Sequence, residues 1–243
     1  MKDNFSQDSG NYGKFRPTYP EELYNYILTK VKSTEMAWDC ATGNGQVASK
    51  LSDYFKKVEA TDLSNNQLEY AIRKTNITYS RQVAELTNFP GHHFDLITVG
   101  QALHWFNFDA FFNEVKRVLK PEGVFVAFVY GLNTVGQEVD EIINDFYHKT
   151  IGPYWDDERR YIDDQYQSIN FPFNHIEHRK FEYQVAWDVE HYFGYLNTWS
   201  AVKHFIKANN FNPVLELEKQ LRKAWGNGER TVVFPIFLVC ACK

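Results

Sequence analysis

The sequence predicts an α/β protein built on a mostly parallel sheet, and two observations carry that expectation. Between residues 36 and 130, short apolar runs alternate with amphipathic segments in a βαβαβ…βαβ order. Such alternation implies parallel strands joined by right-handed crossovers, a doubly wound arrangement. The second observation is the stretch Asp39-Cys-Ala-Thr-Gly43-Asn-Gly45-Gln46, directly after the first apolar run, with an acid at Asp62. Ligands of open parallel sheets bind beyond the carboxyl ends of the strands, where a turn of this kind would sit.

Taken in order, Leu23, Tyr24, Ile27, Leu28 and Val31 recur at helical spacing and predict a first helix. Met36–Asp39 reads as the first strand, Val47, Ala48, Leu51, Tyr54 and Phe55 as one helix face, and Val58–Asp62 as the second strand. Ser64 and Gln67 have the spacing of a capping box at the next helix, whose buried face is Leu68, Ala71 and Ile72. Ile77–Val83 and Phe94–Val99 are the third and fourth strands; the fourth is apolar enough to be central. Phe108, Phe111, Phe112, Val115, Val118 and Leu119 trace a helix that Lys120-Pro-Glu-Gly123 should stop. Val124–Val129 is the fifth strand.

Beyond residue 130 the alternation breaks. Residues 131–199 hold fifteen aromatics and suggest a cap over an apolar site. A strand over Phe181–Trp187, a helix over Glu190–Ala208, a helix over Pro213–Trp225 and a last strand over Thr231–Cys242 follow. Pro235 suggests that the last strand is an edge strand or carries a bulge.

Bulk properties narrow the function. With 243 residues, 44% hydrophobic and 23% charged, the chain is long enough for one sizeable domain with a cap. A net charge of −5, with basic residues dispersed, gives no nucleic-acid footprint. No run approaches the roughly 18 apolar residues of a membrane helix, and the first residues have no apolar signal core. Three cysteines form neither a disulfide framework nor a metal pattern, so a reduced, cytoplasmic setting is expected. His175 and His178 lack a third ligand nearby, and no metal is expected.

The glycine turn serves two cofactor chemistries. Gly43-Asn-Gly45-Gln-Val-Ala48, with Asp62 nineteen residues after Gly43, also satisfies the dinucleotide fingerprint, so an NAD-dependent oxidoreductase remains open on spacing alone. Three features favour a different cofactor. Asp39 precedes the glycines, where it would repel a pyrophosphate and suit an ammonium group. No hydride-transfer machinery follows; the Tyr70–Lys74 pair falls on a helix away from the strand ends. The fourth strand exits into Gln101-Ala-Leu-His104-Trp105-Phe106, a polar and aromatic loop where a reacting group belongs.

These residues resemble the class I S-adenosylmethionine-dependent methyltransferases, and within them the small-molecule branch that includes the trans-aconitate methyltransferases. The motifs span residues 12–130, with weaker echoes in Tyr195–Ser200 and Val232–Cys242. The resemblance implies a Rossmann-like, seven-stranded sheet with an antiparallel last strand and a helical, aromatic cap. It implies four parts: residues 1–35 as lid and first helix, 36–130 as cofactor-binding core, 131–180 as cap insertion, and 181–243 completing the sheet. By the same resemblance, Asp39, Ala41, Gly43, Gly45 and Gln46 surround the methionine part of the cofactor. Asp62 holds the ribose hydroxyls, Leu63 packs on the adenine, Val83 and Ala84 face the adenine edge, and Gln67 belongs to the same cofactor-binding set. Gln101, Ala102 and Trp105 lie beside the methyl group, and Tyr12, Arg16 and Tyr19 close over the top. Ala41 departs from the usual first glycine, and Val83 from the acid many relatives carry for the adenine amino group.

The expected reaction transfers a methyl group from S-adenosylmethionine to a small-molecule acceptor, with a carboxylate as a candidate class, leaving S-adenosylhomocysteine. A carboxylate acceptor needs no base; a hydroxyl or carbon acid would, and His104 is the best-placed candidate. A loop histidine that only packs or donates one hydrogen bond is the alternative. Tyr154, Trp155, Tyr195 and Trp199 are candidates to line the acceptor site, and Arg159 with Arg160, or Arg179, to bind its carboxylate. A non-catalytic protein that keeps the fold and binds the cofactor is the remaining alternative. The oligomeric state is open.

Overall fold

Seven segments pair into one sheet: β1 (Met36–Cys40), β2 (Lys57–Asp62), β3 (Ile77–Arg81), β4 (Phe94–Gly100), β5 (Leu119–Tyr130), β6 (His175–Trp187) and β7 (Arg230–Cys242). Their order is β3-β2-β1-β4-β5-β7-β6 in the computed structural model, which describes residues 15–243. Tyr12, expected in the lid, lies outside the described residues. β1 pairs in parallel with both β2 and β4, β2 with β3, and β4 with β5. The chain therefore runs outward through β3 and returns to β4, so the order reverses between β1 and β4. The crevice at their carboxyl ends is where a ligand is expected.

Helices cover both faces. On one side lie α1 (Glu21–Lys30) and α2 (Gln46–Leu51), together with α7 (Val189–Asn197), α8 (Ser200–Asn209) and α9 (Val214–Trp225). On the other lies α4 (Phe108–Val118), with Phe111, Phe112, Val115 and Val118 against the sheet. The short α3 (Asn65–Glu69) follows β2, and its cap Ser64 accepts the Gln67 N–H at 3.2 Å. Two-sided cover explains why Phe94–Val99 are all buried rather than alternating. β5 sorts its side chains accordingly: Val124, Val126 and Phe128 enter one core, Phe125, Ala127 and Val129 the other. Trp38 is wholly buried against Phe89, Phe94 and Phe111, and its indole N–H reaches Thr61 Oγ1 at 2.9 Å.

Several features differ from the sequence expectation, among them β6, which starts at His175 and not Phe181. The third strand ends at Arg81 and not Val83, because Val83 turns back into an isolated bridge with Leu86. Lys120–Gly123 ends the helix, yet Leu119 already pairs with Phe94, so this segment is an irregularity inside β5. Gly123 closes it: a Cβ there would lie 2.7 Å from Leu119 Cγ. The helix expected over 190–208 is two helices, broken where Trp199 adopts extended backbone (φ −69°, ψ 135°). β7 is an inner strand, antiparallel to β5 and β6, and Pro235 sits neither at a sheet edge nor in a bulge of its pairing with β6. The ladder with β5 ends at Tyr130–Ile236, and the Pro235 carbonyl accepts the Gly131 N–H at 2.9 Å. The proline therefore lacks its N–H on the side where β5 has just finished, and no ladder bond is lost.

Between β5 and β6 the chain builds α5 (Gln137–Asp145), a wide turn over Phe146–Thr150, a 3₁₀ turn over Gly152–Tyr154, and α6 (Arg159–Asp163). These cover the carboxyl ends of the strands with the Tyr147, Trp155 and Trp199 rings in mutual contact. No helix among the described residues is long and apolar enough to cross a membrane.

Candidate active site

The turn after β1 is held by its own backbone and by two carboxylates. Ala41, Gly43 and Gly45 all have positive φ (54°, 56° and 80°). Glycine adopts this region freely, whereas Ala41 does so at a cost of about 1–2 kcal/mol. Gly45 is also sterically required, because a Cβ would meet the Tyr79 hydroxyl at 2.2 Å. Asp62, at the end of β2, accepts the Gly43 N–H at Oδ2 and the Ser64 N–H at Oδ1, both at 2.9 Å. The carboxylate lines a cavity of about 130 Å³.

That cavity sits at the β1/β4 crevice. Ala41, Gly43, Gln46, Asp62, Leu63 and Gln67 line it, as expected from the sequence, with Thr42, Asn44, Val47 and Ser64 between them. Gln101, Ala102 and Trp105 close it from the β4 loop, and Arg16 and Tyr19 from the N-terminal segment. Gln101 holds positive φ (57°), with its N–H on the Phe128 carbonyl.

Four expected residues do not line it. The Asp39 side chain is turned inward, accepting from Thr42 Oγ1 at 2.5 Å, Ala48 N at 3.0 Å and Thr98 Oγ1 at 2.9 Å. Burial pushes its pKa up to about 6 against the pull of these donors. Its place is therefore the foundation of the turn. Gly45 caps α2, and Ala84 packs into the core beside Trp38 and Phe89. Val83 is exposed and lies outside the cavity lining.

A second cavity, of about 50 Å³, adjoins the first and shares Arg16, Gln101, Trp105 and Tyr130 with it. Trp155, Tyr195, Trp199 and His104 line it, and so do Asp156 and Arg159. Tyr154 does not: its ring packs on Phe205 and its hydroxyl accepts from Asn209. The break before α8 serves this cavity, since it turns Trp199 inward and frees the Thr198 carbonyl to accept Arg16 Nη2 at 3.0 Å. Arg16 Nη1 donates to Tyr130 Oη at 2.7 Å, so one guanidinium spans the boundary between the cavities.

Of the three arginines the sequence offered, only Arg159 faces this space. Arg160 is exposed and donates to Tyr161, and Arg179 lies over Tyr26 on β6. Arg159 Nε donates to Tyr147 Oη at 2.6 Å, and its plane lies 4.6 Å from the Trp155 ring centroid. Nη1 and Nη2 make no hydrogen bond among the described residues. His104 is buried, with Nδ1 3.1 Å from the Tyr166 hydroxyl. Burial, aided by the nearby Arg159 charge, lowers its pKa to about 3. Tyr130 was missed because nothing marked it except its place at the end of the fifth strand. Tyr166 lies 62 residues from His104, and no local pattern links the two.

Residues 38–127 match the family described as a methyltransferase domain. A Dictyostelium discoideum protein named as a methyltransferase is 34% identical over 250 residues, covering 99% of this chain and 95% of that one. A Saccharomyces cerevisiae protein named as an S-adenosylmethionine-dependent methyltransferase is 28% identical, covering 65% of this chain and 59% of its own. Among solved structures, one from Anaeromyxobacter dehalogenans described as a type II methyltransferase has a TM-score of 0.87 and 34% identity, covering 94% of this chain and 98% of that one. A shared fold, similarity along nearly the whole length, and the cavity at the β1/β4 crevice agree: the chain belongs to the class I S-adenosylmethionine-dependent methyltransferases.

Proposed function

We propose that the protein methylates a carboxylate oxygen of a small molecule held in the smaller cavity, with S-adenosylmethionine in the larger one. The residues present fit that cofactor. The Asp62 carboxylate lines the larger cavity beside a turn with no side chain at Gly43, and Gln101, Ala102 and Trp105 would lie between the cofactor and the acceptor. When bound, S-adenosylmethionine would supply an electrophilic methyl on a positive sulfur, and the residues shared by the two cavities, Arg16, Gln101, Trp105 and Tyr130, would align the acceptor oxygen with it.

Arg159 is the observation that carries the acceptor class. Its Nε is fixed by Tyr147, its face by Trp155, and its two terminal nitrogens remain for a ligand. That fork matches a carboxylate bidentately. Arg16 and Asp156 also line the cavity, and Asp163 pairs with Arg159 Nε at 3.4 Å, so the two terminal nitrogens, and not a net charge, are what suit a carboxylate. Aromatic walls exclude water and leave the chain to align the reacting atoms. Tyr12, Arg16 and Tyr19 would close the cofactor side, and residues 131–180 would form the cap. The substrate class, the absence of nucleic-acid and membrane partners, and a cytoplasmic setting belong to this reading.

Arg159→Gln should lower turnover at subsaturating acceptor at least tenfold, as expected for a lost charge-assisted pair, while leaving S-adenosylhomocysteine affinity unchanged by calorimetry. Radiolabelled product from a metabolite extract should release labelled methanol in mild base, as an ester does. A base-stable product would remove the carboxylate from this reading.

A further inference from the structure

We propose that Tyr166 is a positioning residue that holds His104 in its Nε2–H tautomer, so that His104 donates a hydrogen bond to the bound acceptor instead of taking a proton from it. This rests on the carboxylate reading only for the nature of the group that accepts the bond.

The geometry begins with the Tyr166 hydroxyl, which is fully buried and has His104 Nδ1 at 3.1 Å. Nδ1 is the one acceptor among the described residues for the phenolic hydrogen. A buried O–H left without an acceptor costs about 1–3 kcal/mol, so the phenol donates and Nδ1 accepts. The imidazole proton then sits on Nε2, the ring nitrogen with no partner among the described residues, on a ring that lines the acceptor cavity.

The chain holds Tyr166 there in spite of its backbone. After α6, the Gln165 N–H returns to the Ile162 carbonyl (2.9 Å) and the Tyr166 N–H to the Tyr161 carbonyl (2.8 Å), the bond pattern of a Schellman cap. That cap normally takes glycine, yet Gln165 and Tyr166 both have positive φ, 61° and 62°. The charged groups around His104 agree with a donor role. Arg159 and Arg16 line the same cavity and oppose an imidazolium, and Asp156 is the one carboxylate there. Burial and Arg159 keep the ring neutral. A neutral Nε2–H beside the Arg159 fork is an anion clamp, and a carboxylate acceptor is already ionised when it arrives.

The test is long-range ¹H–¹⁵N correlation on the full-length protein labelled at its eight histidines and its arginines, titrated with formate as the probe. His104 should show the Nε2–H pattern unchanged from pH 8.5 to 5.5. Tyr166→Phe, which removes one oxygen, should mix the tautomers and weaken formate binding about tenfold. His104→Gln, with an amide donor at the same reach, should bind formate better than His104→Leu. An Nδ1–H pattern in the unmodified protein, or a pattern untouched by Tyr166→Phe, overturns the proposal. So does formate that moves the Arg159 resonances and leaves His104 Nε2 still, an outcome that keeps the carboxylate reading. Formate that moves neither overturns both.

Discussion

The two cavities share four residues and are built in opposite ways. Most of the larger one comes from short pieces at the ends of β1, β2 and β4: Ala41–Asn44 with Gln46, Asp62–Ser64 and Gly100–Ala102. Its key contacts are backbone N–H groups, those of Gly43 and Ser64, donating to the Asp62 carboxylate, which the parallel register of β1 and β2 places beside the turn. The smaller cavity gathers Arg16, His104, Tyr130, Arg159, Tyr195 and Trp199 from six places along the chain. Its contacts join side chains far apart in sequence, as in Arg16 to Tyr130 and His104 to Tyr166. The difference teaches that one site is a property of the fold and the other a property of this chain's packing.

Substitutions should separate the two. The largest effect belongs to Asp62→Ala, which removes a carboxylate bonded to two backbone N–H groups and facing the cavity. Calorimetry should show S-adenosylhomocysteine binding weakened by about 3 kcal/mol, on the scale of two charge-assisted hydrogen bonds. A loss below tenfold would mean that the turn survives without this acid, and the larger site would be less backbone-determined than described.

A smaller effect tests the packing of the other cavity. His104 has an ordinary pKa of 6.5 when unfolded and about 3 when folded. Between these values the unfolded chain binds the proton and the folded one does not, so stability falls as pH drops below 6.5 and is fully present above it. Compared with His104→Gln, the unmodified protein should lose about 2 kcal/mol of unfolding free energy from pH 7 to pH 5. Parallel denaturation curves for the two proteins at both pH values would show that His104 is reached by solvent.

The smallest expected effect is at Ala41, whose φ of 54° suits glycine. Ala41→Gly relieves left-handed strain and adds freedom to the unfolded chain, and these oppose each other. The midpoint of thermal unfolding should change by no more than the equivalent of about 1 kcal/mol. A larger drop would show that the methyl group packs against something the glycine turn needs.

Much of this was legible in the sequence, and the failures are instructive. Strand and helix periodicity predicted the order of elements through residue 130, because local side-chain patterning reports burial directly. The glycine turn and Asp62 marked the crevice, because positive φ and strand-end acids are local requirements. Asp39 was assigned to a ligand, yet it serves Thr42, Ala48 and Thr98, since a sequence does not say which way a strand-end carboxylate turns. Arg159, Arg160 and Arg179 looked equivalent, and only packing distinguished the one that Trp155 and Tyr147 hold toward the cavity.

The sequence alone determined the parallel core, the place of the cofactor turn and the aromatic character of the second half. The tertiary structure alone decided that β7 inserts between β5 and β6, that the helix breaks at Trp199, and that Tyr166 meets His104. The physical reason is range. Periodicity and turn chemistry act over a few residues, whereas these features depend on which distant surfaces exclude water together.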